Sequence, residues 1–309
     1  MECKCQKKCP FCLSKNTIKK GYRRGSQRFI CQNCNKSFQN KRRPIKLQKT
    51  IWRSFVYKRS TINQLAREYQ RSSNWVRKQL ESYRLPVRSI ASCSTVIIAD
   101  ATYFRRQLCI LVFRSNELNK NILWREIDYE RIDYYYRARQ KIEAEGFRVL
   151  AIVTDGRPGI RGIFSDVPVQ MCHFHQKQIV KKYLTSNPRL EAGIELRNIS
   201  QTLCNTTEDN FIKALDGWHT KWHEFLKEKT INVETGKRCY THRRIRSAHY
   251  SLKRNLPYLF TYLKYPHLNI PNTTSSLEGT FSRLKELTKI HRGLSYKLKR
   301  KMIDEILSK

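Results

Sequence analysis

Two C-x2-C pairs, Cys9-Pro-Phe-Cys12 and Cys31-Gln-Asn-Cys34, stand 18 residues apart and constrain the start of this chain more than any other feature. A polar stretch of about 40 residues buries too little apolar surface to fold on its own. Four thiolates at this spacing supply a closed tetrahedral Zn2+ site, and metal binding then carries the folding free energy. Chance pairing, or a redox CxxC, is the plainer alternative. Of 11 cysteines, an odd number, six fall in the first 34 residues, which in an intracellular protein points to metal rather than disulfides. Cys3 and Cys5 read as spare thiols. Residues 1–45 are therefore expected to form a zinc ribbon with Cys9, Cys12, Cys31 and Cys34 as ligands. A basic linker, Lys41–Lys49, follows, with Lys41, Arg42 and Arg43 expected to touch phosphates.

That expectation of phosphates comes from charge. The 309 residues carry 62 Lys+Arg against 25 Asp+Glu, a net charge of +37. Such an excess implies a polyanionic partner, of which nucleic acid is the commonest. Residues 1–90 hold 24 of the basic and 3 of the acidic residues, so the N-terminal third is the expected DNA-docking element. No basic helix with a clean apolar face stands out, which disfavours a membrane surface. The longest apolar runs, such as Val96–Ala99 and Leu108–Phe113, are strand-sized, and no secretory leader is expected. The expected location is cytoplasmic and nucleoid-associated.

Within residues 46–90, the stretch 61–84 carries a helix-turn-helix pattern. Thr61 can cap a helix with Leu65 and Ala66 on its apolar face, a turn follows at Arg71–Ser73, and a second helix turns Val76 and Leu80 inward. Its other face offers Asn74, Arg77, Lys78 and Gln79 to a major groove. An ordinary helical hairpin is the alternative.

From residue 91 the chain turns α/β. Thr95–Ala99 is an apolar β-branched run ending at Asp100. Further strands are predicted at 107–114, 122–127, 149–154 and 167–172, with helices at 128–145 and 158–164. Three strands, helix, strand, helix, strand is the order of an RNase H-like domain. Residues 176–265 read as mostly helical, and Asn272-Thr-Thr-Ser-Ser-Leu-Glu278 opens a last helix.

Nucleotidyl transfer needs divalent ions held by carboxylates. Asp100, Asp155 and Glu278 fall where an RNase H-like domain supplies them, in a chain where acids are scarce. Each has a plain alternative. Asp100 can end a strand, Asp155-Gly156 is a common turn, and Ser275-Ser-Leu-Glu278 matches a capping box. Asp166 rivals Asp155, and Glu286 and Glu305 rival Glu278.

The stretches IIADATYF, AIVTDGRPGI, QMCHFHQKQIV and NTTSSLEGTFSRLKELTKIHRGLS resemble the Mutator-like branch of bacterial insertion-sequence transposases, over roughly residues 94–309. The zinc ribbon and helix-turn-helix suit the zinc-binding variants of that group. The resemblance implies an Asp100/Asp155/Glu278 triad holding Mg2+ (or Mn2+), with an all-helical insertion in the 122 residues between Asp155 and Glu278. It also picks out Cys172 and His175 as accessory active-site residues. It implies a DNA transposase that cleaves and joins strands at its element's ends, acting on double-stranded DNA as a homo-oligomer.

Two alternatives remain: a DNA-binding regulator with a degenerate nuclease domain, and a plain RNase H-like nuclease. Cys172/His175 and Cys239/His242 could together form a second zinc site. Trp218, His219, Trp222 and His223 read as a packed aromatic stripe, with base stacking as the sharper alternative.

Overall fold

A computed structural model describes residues 7–23, 26–39, 44–87, 89–104, 108–231 and 236–309. The chain divides into two compact units, residues 1–84 and 85–309.

In the first unit, β1 (Thr17–Arg23), β2 (Ser26–Cys31) and β3 (Ser37–Gln39) form an antiparallel sheet in that order. Its apolar content is small: Phe29 stacks on Phe38 at 5.7 Å. A three-helix cluster follows. Helix α1 (Pro44–Tyr57) opens on a proline, whose missing N–H would have no helical partner there anyway. It buries Ile51, Trp52, Phe55 and Val56. The expected linker over 41–49 is thus helical from Pro44, and Lys41, Arg42 and Arg43 lie outside the described residues. The basic stretch concealed the helix because its apolar face begins only after Lys49.

Helix α2 (Ile62–Glu68) starts at a complete capping box: the Gln64 amide donates to Thr61 Oγ1, and the Thr61 amide donates to Gln64 Oε1 at 2.7 Å. Ser72 caps α3 (Ser73–Ser82). Leu65, Val76 and Leu80 are fully buried where the three helices meet.

The second unit is built on a five-stranded mixed sheet. Strands β4 (Ser94–Phe104), β5 (Leu108–Ser115) and β6 (Lys120–Ile127) form an antiparallel meander. Helix α4 (Ile132–Ala144) leads to β7 (Arg148–Thr154), which lies parallel to β4. Helix α5 (Pro158–Ile163) leads to β8 (Val169–Met171), parallel to β7. The strand order is β6-β5-β4-β7-β8. Thr95–Ala99 is buried without alternation because β4 is central and covered on both faces.

Helices α6 (His173–Leu184), α7 (Glu191–Gln201), α8 (Glu208–Lys221) and α9 (His223–Lys227) come next. A small antiparallel pair, β9 (Lys229–Ile231) and β10 (Arg238–Tyr240), precedes α10 (Arg243–Leu259) and α11 (Thr261–Lys264). The insertion is therefore not all-helical. Three-residue, largely exposed strands leave no alternation for a sequence to display. These helices share a second core including Val180, Leu196, Leu215 and Leu252. That core is braced to the sheet edge: Gln170 Nε2 donates to the Leu259 carbonyl, and Thr261 Oγ1 to the Val169 carbonyl, both at 2.8 Å.

The expected last helix, α12 (Ser275–Ile290), is followed by another, α13 (Tyr296–Leu307). The latter is held on β6 through Trp124 Nε1 to Asp304 Oδ1 at 2.8 Å. Among the described residues, no helix is long and apolar enough to cross a membrane.

Candidate metal and carboxylate sites

The four N-terminal cysteines converge. Cys9 and Cys12 precede β1, Cys31 ends β2, and Cys34 lies in the turn that leads to β3, so two knuckles face each other. The Cys9–Cys34 and Cys12–Cys31 sulfurs are 3.6 and 3.5 Å apart, and all four lie within 4.8 Å of one another. A tetrahedral Zn2+ with bonds of about 2.3 Å needs sulfur–sulfur edges of about 3.8 Å. The cage fits that ion, and this cluster can bind zinc.

In the first unit, Asn74, Arg77 and Lys78 are exposed on α3, while Gln79 is half-buried. Arg77 donates to Asn74 Oδ1 at 3.3 Å, so those two side chains are already oriented on one face.

In the second unit, Asp100 lies within β4, which continues past it to Phe104, and its side chain is 12% exposed. Asp155 follows the last residue of the parallel neighbour β7. The next residue, Gly156, has φ +88°, and a Cβ there would come within 2.5 Å of Met171 Sδ, so this turn requires glycine. The chain then puts Arg157 back against the acids: Nε is 3.3 Å from Asp155 Oδ2, and Nη2 is 2.8 Å from Glu130 Oε2.

Glu130 is the residue that sequence reasoning missed. It precedes α4, is 7% exposed, and accepts from the Tyr135 hydroxyl at 2.5 Å. Its carboxyl is raised from the usual range by burial, with the Asp155 charge adding to the effect. The available signal was its place: a scarce acid between the third strand and its helix.

Glu278 arrives from the far end of the unit. Thr274 is the N-cap residue of α12, and its hydroxyl donates to Asp100 Oδ2 at 3.4 Å. Glu278 is one turn further along the same helix, on the same side. Its Oε1 is buried and has no hydrogen-bond partner among the described residues.

Cys172 and His175 sit beside this cluster. Cys172 is fully buried at the start of α6, and its sulfur accepts from the Thr274 amide at 3.3 Å. His175 Nε2 is 3.9 Å from Asp100 Oδ1. Burial pushes the Asp100 carboxyl up to about 6; His175 opposes this, while Asp155 and Glu130 add to it. Burial works against charge on His175, but the Cys172 sulfur and Asp100 outweigh it and raise the imidazole to about 9. The Cys172 thiol is lowered despite its burial, because His175 lies alongside.

Asp100, Asp155, Glu130 and His175 thus act on one another electrostatically. Asp100, Asp155 and Glu278 do not crowd as tightly as the cysteines: among the described residues, only the four-cysteine cluster brings three or more ligand atoms within 4.8 Å. Ligands that face two ions about 3.5–4 Å apart need no such crowding. An unpartnered buried carboxylate oxygen, and an acid raised by burial and further by neighbouring acids, suit a divalent cation. Asp166 is taken up elsewhere, in a two-bond pair with Arg139 at 2.5 Å.

Two other groupings separate. Cys239 and His242 do not join Cys172 and His175; His242 instead stacks on Phe225 and contacts Glu228 Oε2 at 2.8 Å. The Trp218 stripe is packed: its ring stacks on His249, and its Nε1 donates to the Ala192 carbonyl.

No family model matches this chain, and no curated protein matches it. Among solved structures, it is similar to a chain of the simian T-cell lymphotropic virus intasome in complex with PP2A regulatory subunit B56 gamma. The identity is 13% and the TM-score 0.22, covering 67% of this chain and 74% of that chain. A TM-score that low carries no argument, so the function rests on this chain's own residues.

Proposed function

We propose that this chain is a DDE-type DNA transposase whose residues 91–309 form an RNase H-like catalytic domain. One arrangement supports this best. Asp100 sits within the central strand, Asp155 directly follows the parallel strand next to it, and Thr274 ties the helix bearing Glu278 to Asp100. The strand order β6-β5-β4-β7-β8 is the order such a domain has.

In this reading Asp100, Asp155 and Glu278 hold two Mg2+ (or Mn2+) ions, which when bound supply Lewis-acid activation of the attacking oxygen and stabilise the leaving one. Glu130 and Arg157 orient Asp155. His175 fixes Asp100 and offsets part of the site's negative charge before metal arrives. A water oxygen attacks phosphorus, the P–O3′ bond breaks, and a 3′-hydroxyl remains. That hydroxyl then attacks a phosphorus of target DNA, the target's own P–O3′ bond breaks, and the proton lost by the attacking hydroxyl is balanced by one taken up from solvent at the released target 3′-oxygen. The zinc ribbon (1–45) and helix-turn-helix (46–90), with Asn74, Arg77, Lys78 and Gln79 toward the groove and Lys41, Arg42 and Arg43 on phosphates, would hold the element's ends.

The test is incubation of the full chain with duplex DNA carrying the sequences that flank its gene, with Mg2+, and mapping of new 3′ ends. Cleavage at the element boundary that is lost in Asp100→Asn and Asp155→Asn is expected. Cleavage equal to wild type in both variants would overturn the reading.

A further inference from the structure

Helices α6, α8, α9 and α10 line an open pocket of about 490 Å³ that the carboxylate site does not use. Its volume falls in the roughly 300–1,000 Å³ range of ligand sites. Arg246, Lys253 and Arg254 line it together with Tyr183, His219 and Tyr250, and no carboxylate does. Three other cations of the insertion have acidic partners: Lys221 with Glu195 at 2.5 Å, Lys227 with Glu224 at 3.0 Å, and Lys264 with Glu208 at 2.9 Å. Lys253 and Arg254 have no ion-pair partner among the described residues. Unpaired cations converging on a concavity repel one another unless an anion joins them.

The aromatic side of the pocket is firm. His249 is stacked between Trp218 at 5.1 Å and His219 at 4.8 Å. Burial holds it down to about 4, with His219 and Lys253 adding to the effect, so it is a neutral ring at ordinary pH. Arg246 lies 3.7 Å from the Tyr240 ring centroid and donates to the Leu226 carbonyl at 2.7 Å. Tyr250, by contrast, lines the pocket and is 64% exposed. Arg246, Tyr250, Lys253 and Arg254 follow i, i+4, i+7 and i+8, a single face of α10 spanning about 12 Å.

We infer that this pocket is a second nucleic-acid site, taking a nucleotide of single-stranded DNA with its base on Tyr250 and its phosphates on Lys253 and Arg254. An aromatic face beside unpaired cations is the general chemistry of single-strand binding. A base within a duplex is already stacked on both faces and cannot use the ring. The inference rests on the DNA reading above.

The experiment uses the full chain and a short single strand bearing 2-aminopurine, with the matching duplex as control. Quenching on binding is expected in wild type and in Tyr250→Phe, and lost in Tyr250→Ala. Replacing Lys253 and Arg254 together by Gln is expected to weaken single-strand binding at least about tenfold. Its salt slope should fall by about 1.4, since each single-strand phosphate contact contributes about 0.7. Duplex affinity should change less than about twofold. Undiminished quenching in Tyr250→Ala, or equal losses on single strand and duplex, would overturn the inference alone. A wild-type chain that binds no DNA would overturn both proposals.

Discussion

The Thr274 hydroxyl donates to Oδ2 of Asp100 at 3.4 Å across 174 residues of chain. On its other side, Cys172 Sγ is 3.5 Å from the same hydroxyl, and all three groups are largely withdrawn from water. Thr274→Val keeps the shape and removes the donor. Leaving a buried acceptor short of a partner costs about 1–3 kcal/mol. The urea midpoint is expected to fall accordingly, and strand cleavage by about tenfold as the start of α12 loosens. Thr274→Ser should restore both. A Val variant equal to wild type in midpoint and rate would show that this contact positions nothing.

Glu278 does not satisfy a capping box. Such a box needs the acid at the third helical residue, and here α12 starts at Ser275, which puts Glu278 fourth; Thr274 makes no side-chain cap. Its Oε1 is instead buried without a partner among the described residues. Glu278→Gln should leave stability within about 1 kcal/mol, since no existing bond is broken. Cleavage should drop at least about a hundredfold, the scale seen when one charge-stabilising group is removed. Thermal scans add an independent readout: Mg2+ should raise the wild-type midpoint and not the variant's. Full activity in Glu278→Gln would move the third ligand, with the exposed Glu286 as next in line.

What the sequence revealed depended on how local the cause was. The run at 95–100 was legible because a central strand buried on both faces reads as unbroken apolar residues ending in one acid. Thr61 and Ser72 were legible as helix starts or turns because capping acts over three residues. The Cys9–Cys34 cage followed from spacing alone. Helix α1 was hidden because its first residues are basic and its apolar face, from Ile51, begins late. Glu130 was hidden because its role depends on Arg157, 27 residues on. Thr274 was hidden for the same reason at longer range. No local pattern encodes a partner that only the fold brings near.

Arg157 lies between Glu130 and Asp155, and Glu130 is almost fully enclosed. Arg157→Gln strips a buried carboxylate of its cation. A fully buried broken pair costs about 3–5 kcal/mol. Because the arginine is itself 45% exposed, a loss of about 1–3 kcal/mol is expected. Adding Glu130→Gln should recover most of that stability without recovering strand cleavage, since Asp155 would still lack its orienting contact. Recovery of activity along with stability would reduce the pair to a structural role.

The cysteine cage predicts about one tightly bound Zn2+ per chain, measured by elemental analysis of freshly purified protein. Cys9→Ser together with Cys12→Ser should abolish it and expose the β1–β3 segment of the first unit to protease, because that small sheet has little core beyond Phe29 and Phe38. The second unit has its own apolar clusters and should keep its unfolding transition. Metal-free protein with an intact β1–β3 segment would contradict a folding role for the ion.

His175 gives the molecule a pH signature. Its ordinary value is about 6.5, and in the folded chain the Cys172 sulfur and Asp100 outweigh burial and raise it to about 9. A basic group raised on folding binds its proton more tightly in the native state. Its stabilisation is therefore complete below about pH 6.5 and is lost as pH rises through about 9. At about 1.4 kcal/mol per unit, the change is at most about 3.5 kcal/mol. Urea unfolding without added divalent ions should show wild-type stability falling between pH 6.5 and 9, and His175→Gln should lack that component. Mg2+ should then lower the His175 titration, since a cation held by Asp100 repels the imidazolium 3.9 Å from that carboxylate. Parallel pH curves for wild type and His175→Gln would remove His175 from the charge balance of the site. A His175 titration indifferent to Mg2+ would place the ion away from Asp100.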